Sequence, residues 1–237
     1  MNKLLIFSDL HGNIESLNKI IEIADKNDCT EIINLGDSIT IGPYSNECMD
    51  IIRKSRIIMI KGNHEEYLCK GIIKNELNII SESEYEHQKY IHSIITDENK
   101  KYIMKLPESI EMIINGIYIL FVHGPTENDN NGNYKKYINL KNKTIEEIKG
   151  IFNKYKENII FFGHTHSLFE VEYQKHIINP GSAGCGKDSN CRFTVCTINE
   201  DKIIIEHHKE KYDKKRILDE MEKRKIPGRK EIINIFY

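Results

Sequence analysis

The stretch Leu4-Leu5-Ile6-Phe7-Ser8-Asp9-Leu10-His11-Gly12-Asn13 decides how the rest of the chain is read. Residues 4–7 are a short unbroken apolar run, the pattern of a buried strand. The run ends at Ser8 and delivers a carboxylate, Asp9, and an imidazole, His11. Residues 13–24 then place Ile14, Leu17, Ile20, Ile21 and Ala24 at helical spacing, with one face to bury. The first unit is therefore a strand, a turn that carries chemistry, and a helix.

The unit recurs. Residues 31–35 read as a second strand, followed directly by Gly36-Asp37. Residues 45–54 read as a helix, and residues 56–60 as a third strand ending in Gly62-Asn63-His64. This alternation predicts an α/β layered fold. Residues 66–105 lack a strand pattern and read as helices, residues 82–95 most clearly. Residues 111–114 and 117–122 read as a hairpin about Asn115-Gly116, and its second strand runs into His123-Gly124. Residues 126–137, rich in Asn, Asp and Gly, read as a loop. A helix at 144–155 and a strand at 159–162 follow, the strand ending at Gly163-His164. Four more strands are expected at 168–173, 176–179, 192–198 and 202–207. A charged helix at 211–225 stops near Pro227-Gly228. No Pro/Gly/Ser-rich linker divides the chain. The expectation is one domain over residues 1–237, with a helical insertion at about 66–105 and a C-terminal helix at about 211–225.

Five apolar runs thus end in five motifs: SDLHGN (8–13), GDSITIGP (36–43), KGNHE (61–65), VHG (122–124) and GHTH (163–166). In open α/β sheets ligands bind at the carboxyl ends of strands, so the motifs are expected to converge on one edge. Their Asp, His and Asn side chains are oxygen and nitrogen donors, a mixture that suits a pair of borderline divalent ions such as Mn, Fe or Zn. Two metals side by side are a device for phosphate-ester chemistry. Asp37, on a tight turn at Gly36, has two oxygens and could bridge two cations about 3.5–4 Å apart. Asn63 adds a neutral oxygen, which limits the ligand charge. Taken singly, an Asp after a strand is usually a turn residue, and a lone His is more often surface or core than ligand. The complete set, in order, carries the reading. His87, His92, His176, His207 and His208 fall outside the motifs and read as structural, His207 and His208 as exposed.

Composition narrows the partners. The chain has 237 residues, a net charge of -2 and a pI near 6.6. Long nucleic-acid tracks and acidic membranes call for a more basic surface. The six cysteines form no CxxC pair, so reduced thiols used for packing are expected. Cys185 stands apart: it follows Asn179-Pro180-Gly181-Ser182, a turn expected to pack under GHTH, and so falls near the metal edge. Arg192 is read either as a phosphate contact or as a strand-surface residue. No apolar run reaches the length of a signal-peptide core or a membrane span, and a cytoplasmic location is expected.

The order DxH, GD, GNH, H, GHxH resembles the calcineurin-like metallophosphoesterases. The strings SDLHGNIESL, GDSITIGP, KGNHEE, VHG, FFGHTH and NPGS, with Tyr212-Asp213 and Ile226-Pro227, resemble the small bacterial and archaeal phosphoesterase branch. The similarity covers almost the whole chain. It implies a four-layer fold of the metallo-dependent phosphatase type, a β-sandwich of two mixed sheets flanked by helices. It implies Asp9, His11, Asp37 and His166 around a first metal, and Asp37, Asn63, His123 and His164 around a second. His64 is implied as the catalytic group that stabilises the transition state or protonates the leaving oxygen. The cofactors implied are two divalent ions, manganese foremost, with Fe, Zn, Ni or Co as alternatives. The reaction implied is attack by a metal-bridging hydroxide on a phosphodiester or phosphomonoester of a small molecule or nucleotide. Stable nucleic-acid or membrane partners are not expected, and a homo-oligomer is left open. A protein serine/threonine phosphatase, a nuclease, or a non-catalytic scaffold like one eukaryotic trafficking subunit are the alternatives. Filled positions throughout oppose the scaffold. Substrate choice is expected to lie in residues 66–105 and 126–137.

Overall fold

A computed structural model of the chain describes residues 2–71, 81–128, 135–138, 140, 142–200 and 202–237. β1 (Asn2–Phe7) runs parallel to β2 (Glu31–Asn34), which runs parallel to β3 (Ile57–Met59). On its other side β1 pairs antiparallel with β11 (Asn190–Ile198), and β11 with β12 (Ile203–Lys211). The second sheet pairs β4 (Ser109–Ile114) with β5 (Ile117–Val122) in the expected hairpin. β5 runs parallel to β8 (Ile159–Phe161), and β8 to β10 (His176–Pro180). β9 (Leu168–Glu172) closes that edge antiparallel to β10. Both sheets are five-stranded and mixed.

Strand alternation explains why the central runs are apolar throughout. Leu4 and Ile6 face the second sheet, where Ile119, Phe121, Phe161 and Ile178 meet them in one cluster. Phe121 and Phe161 stack there with ring centroids 5.5 Å apart. Leu5 and Phe7 face the opposite way, into a second cluster built on helices. A strand buried on both faces has no position for a polar residue until it ends. A fully buried Phe stabilises by about 1.5–3 kcal/mol.

The outer layers are helical. α1 (Ile14–Lys26) starts where the Asn13 side chain accepts the Ser16 amide at 3.1 Å, and buries Leu17, Ile20 and Ala24. α2 (Ser45–Lys54), α4 (Glu82–Ile94), α5 (Asp97–Lys105), α7 (Lys214–Lys223) and α8 (Arg229–Phe236) contribute to the same cluster. α3 (Asn63–Lys70) begins within the third motif. α6 (Ile145–Phe152) covers the other sheet, packing Ile148 and Phe152 on Ile160 and Phe162.

Two regions depart from expectation. Residues 126–137 are not wholly loop: β6 (Thr126–Asn128) and β7 (Lys135–Tyr137) pair antiparallel. Main-chain hydrogen bonds hold this ribbon, and Asn-rich sequence hides them. Residues 129–134 lie outside the described residues. At the C-terminus β12 extends to Lys211, beyond the expected end at 207, and Asp213 caps α7 through the Arg216 amide at 3.1 Å. α7 does stop before Pro227-Gly228, which is then a corner into a further helix. Gly228 takes φ 72° and α8 follows, burying Ile232. Among the described residues no helix is long and apolar enough to cross a membrane.

Candidate metal centre

Each of the five motifs lies at the carboxyl end of a parallel strand: β1, β2, β3, β5 and β8. The neighbouring loops stay paired after the strands stop. The Asp9 amide donates to Gly36 O at 3.0 Å, and the His11 amide to Asp37 O at 2.9 Å. The seven expected ligands therefore converge. Asp9, His11, Asp37, Asn63 and His123 are buried, and His164 and His166 are half-buried.

Distances place them in overlapping groups. Asp37 Oδ2 lies 3.2 Å from His123 Nε2, and Asn63 Oδ1 lies 3.1 Å from that same nitrogen and 2.9 Å from His164 Nδ1. Asp9 Oδ1 lies 3.4 Å from His166 Nε2, which is 3.0 Å from His11 Nε2. Donor atoms of Asp37, His123 and His164 lie within 4.8 Å of one another, as do those of His11, Asp37 and His64. Asp37 belongs to both groups.

Backbone carbonyls aim two of the rings. His123 Nδ1 donates to Leu35 O at 2.8 Å and His11 Nδ1 to Ile39 O at 3.3 Å, so each presents Nε2 to the site. Such outer partners fix the tautomer and orientation of a ligating histidine. His64 is buried; its Nδ1 shares a 2.6 Å hydrogen bond with the Thr40 hydroxyl, and its Nε2 lies 3.9 Å from Asp37 Oδ2.

The charges explain what the centre is built to hold. Burial opposes charging His123, but Asp37 beside it outweighs burial and pushes the ring up to about 10. His166 is raised in the same way, against burial, by Asp9. Burial pushes His11, His64 and His164 down. Two buried carboxylates thus favour positive charge on the groups that face them. A donor set of two carboxylates, an amide oxygen and four imidazoles fits divalent cations, which would supply that charge.

Three residues of the centre escaped the sequence reading. Glu65 spans the β2 and β3 loops: its carboxylate accepts the Asp37 and Gly62 amides on Oε2 and the Ser38 amide on Oε1, each at 2.8 Å, with Ile39 at 3.3 Å. Burial and the Asp37 carboxylate push Glu65 up to about 7, while those amides work the other way. An acidic residue at the third position of α3 was the available signal. Gly62 allows the loops to meet, since a Cβ there would lie 2.2 Å from Asp37 Oδ1. Thr40, the second such residue, left no signal. Tyr137, the third, stacks on His164 at 4.8 Å and was hidden in the expected loop. The ring forms part of a cleft of about 290 Å³ with Glu66, Glu108, Gly124 and Lys154.

Other sequence-flagged residues lie apart. Arg192 is tied to Asp188 and borders a second cleft beside His166. His176 and His207 both hydrogen-bond Glu170, at 2.6 and 2.8 Å, so His207 is not simply exposed; His208 is, and stacks on Phe193. Asn179 does pack under GHTH, donating to Gly163 O at 2.7 Å and Thr165 Oγ1 at 3.0 Å. The six cysteines form no disulfide.

Acidic and imidazole side chains gathered by five motifs at the strand ends of a two-sheet sandwich are the arrangement of the metal-dependent phosphoesterase class of protein. The calcineurin-like phosphoesterase superfamily domain matches residues 2–223, and the chain belongs to that superfamily. The uncharacterized protein MJ0912 of Methanocaldococcus jannaschii is 26% identical over 240 residues, covering 94% of this chain and 93% of that one. The fold is shared with a metallophosphoesterase from Sphaerobacter thermophilus (TM-score 0.73, 20% identity, 98% and 97% of the two chains covered). It is shared also with the hypothetical protein PH1004 of Pyrococcus horikoshii (TM-score 0.82, 18% identity, 100% and 98% covered).

Proposed function

We propose that the chain is a dinuclear-metal phosphoesterase that hydrolyses a phosphodiester or phosphomonoester bond in a small molecule or nucleotide. The observation that carries this reading is the position of Asp37, shared between the His11 and the His123–His164 groups. A carboxylate so placed is suited to hold two cations side by side. Bound there, a pair of divalent ions supplies an acidified water and neutralises charge on the phosphoryl oxygens. The proposed holders are Asp9, His11, Asp37 and His166 for one ion, and Asp37, Asn63, His123 and His164 for the other. On these nitrogen and oxygen donors alone, manganese is the first choice.

The rest of the chemistry falls to the chain. His64 is the proposed catalytic residue: its Nδ1 is committed to Thr40, which leaves Nε2 to carry a proton to the leaving oxygen. Tyr137 and the cleft beside it would receive one arm of the substrate. The proposed setting is the cytoplasm, without stable nucleic-acid or membrane partners.

The test is hydrolysis of bis(p-nitrophenyl) phosphate with added Mn, beside the monoester p-nitrophenyl phosphate. Metal-dependent diester turnover, lost in His64→Ala and Asp37→Asn, is the expected result. Monoester turnover alone moves the assignment to a phosphatase. No turnover with any divalent metal, in folded protein that retains none, refutes the enzyme reading.

A further inference from the structure

Cys185 occupies a place beside the centre that the seven expected ligands do not explain. Its sulfur and the ring nitrogens of His11 and His166 all lie within 4.8 Å of one another. That is the spacing of donors around a single ion, and two of the three belong to the set proposed for the first metal. The residue is 6% exposed and lines a cleft of about 520 Å³ with His166 and Phe236.

The loop that carries Cys185 is fastened to the loop that carries Asp9 and His11. The Ala183 amide donates to Ser8 O at 2.9 Å and the Gly184 amide to Asp9 O at 3.0 Å. The Ser182 hydroxyl donates to Asp9 O at 2.8 Å and accepts the Cys185 amide at 2.9 Å. Asn13 reaches across from the cap of α1 to donate to Gly184 O at 2.8 Å. Gly184 makes the approach feasible, because a Cβ there would lie 1.7 Å from Leu10 O. Four hydrogen bonds between the loops and a glycine thus press the residue before Cys185 against the backbone between Asp9 and His11, and a fifth, within the loop, holds the Cys185 amide. A cysteine needed only for packing does not call for so exact a seat.

From this cluster we infer that Cys185 Sγ is a ligand of the ion held by Asp9, His11 and His166, making that position a mixed nitrogen, oxygen and sulfur site selective for thiophilic divalent ions. The inference rests on the metal-binding reading of the preceding section. When the sulfur–metal bond forms, the thiol proton leaves to solvent. Sulfur donors favour zinc, iron and cobalt over manganese, whereas carboxylate and imidazole alone discriminate less. The second position, with Asn63, His123 and His164, has no sulfur donor in its group. The two positions are then unlike, one thiophilic and one not.

Cobalt(II) titration of the full chain tests this, because a thiolate ligand adds a near-ultraviolet charge-transfer band that nitrogen and oxygen ligands do not. The expected result is a band that saturates with one of two bound cobalt ions. It should be absent from Cys185→Ser and Cys185→Ala, both still binding cobalt. Competition dialysis should show the preference for Zn over Mn falling about 10- to 100-fold in Cys185→Ser. Two bound cobalt ions without the band overturn the inference and leave the phosphoesterase reading intact. A band that persists in both variants assigns the thiolate to another cysteine and also overturns it. Failure of the wild-type chain to retain cobalt overturns the inference, and failure to retain any divalent metal overturns both readings.

Discussion

Five of the seven expected ligands have left-handed backbone: Asp9 (φ 54°), His11 (49°), Asp37 (56°), His164 (67°) and His166 (59°). None is glycine, and each such residue costs about 1–3 kcal/mol. Strain of that size persists only where the surroundings over-determine it, and here paired loops and carbonyl-bound rings do so. Thr40 (φ 67°) and Ile41 (60°) extend the pattern to β-branched residues, for which it is least favourable. Thr40 is held in that conformation with its hydroxyl 2.6 Å from His64 Nδ1. Thr40 is therefore a positioning residue for His64. In Thr40→Val the shape is kept and the hydrogen bond is lost. We expect kcat to fall about tenfold or more with bound metal and KM nearly unchanged, and Thr40→Ser to restore most of it. Metal analysis beside steady-state kinetics checks this. A loss of metal in parallel with activity would instead make Thr40 a support of the whole centre.

At the scale of elements, the parallel strands and their terminal motifs were legible because burial on both faces keeps residues 4–7 of β1, Ile32 and Ile33 of β2 and the whole of β8 apolar. The first polar residue then marks the strand end. Convergence was legible from fold class alone. The β6–β7 ribbon was not, since its pairing is main-chain and its residues are turn formers, and with it went Tyr137. α8 was hidden behind Pro227-Gly228, which reads as a stop although Gly228 serves as the corner before a new helix. Glu65 was hidden for another reason: a glutamate in the first turn of a helix is ordinary, and nothing local reveals that it serves the loop of another strand. Four backbone amides depend on it. Glu65→Ala leaves them buried without an acceptor, at about 1–3 kcal/mol each before relaxation. We expect that variant to be the most destabilised of those named here. Glu65→Gln keeps one acceptor oxygen but turns an amide donor toward donors, so we expect a loss of about 2–3 kcal/mol. Urea unfolding in excess chelator reads this apart from metal binding. An unchanged midpoint in Glu65→Gln would mean that the Asp37 loop is held by the strands alone.

Across the whole molecule, groups far from the centre link stability to pH. Glu170 on β9 bridges to His176 on β10 and to His207 on β12, joining edge strands of the two sheets. The clearest case lies in the seam between α4 and the turn into α8. His87 is 1% exposed; its Nδ1 donates to Pro227 O at 3.2 Å, and its Nε2 is buried without a partner. Burial pushes the ring down to about 4, against the Pro227 hydrogen bond, with His64 and His92 adding to the fall. Burial likewise lowers His92 to about 4. An unfolded histidine takes its proton near pH 6.5, so between about 6.5 and 4 the unfolded chain binds more protons than the folded one. Stability is then fully present above about pH 6.5 and is lost as the pH falls toward 4. For His87 the loss amounts to at most about 3 kcal/mol. In His87→Asn the amide nitrogen can still reach Pro227 O, and the titration is gone. Chemical unfolding of metal-free protein at pH 7, 5.5 and 4 should show a shallower decline for His87→Asn than for wild type, the two curves converging toward the acid end. Curves that stay parallel over the whole range would show that the acid sensitivity of the fold arises elsewhere, in the carboxylates and imidazoles of the centre itself.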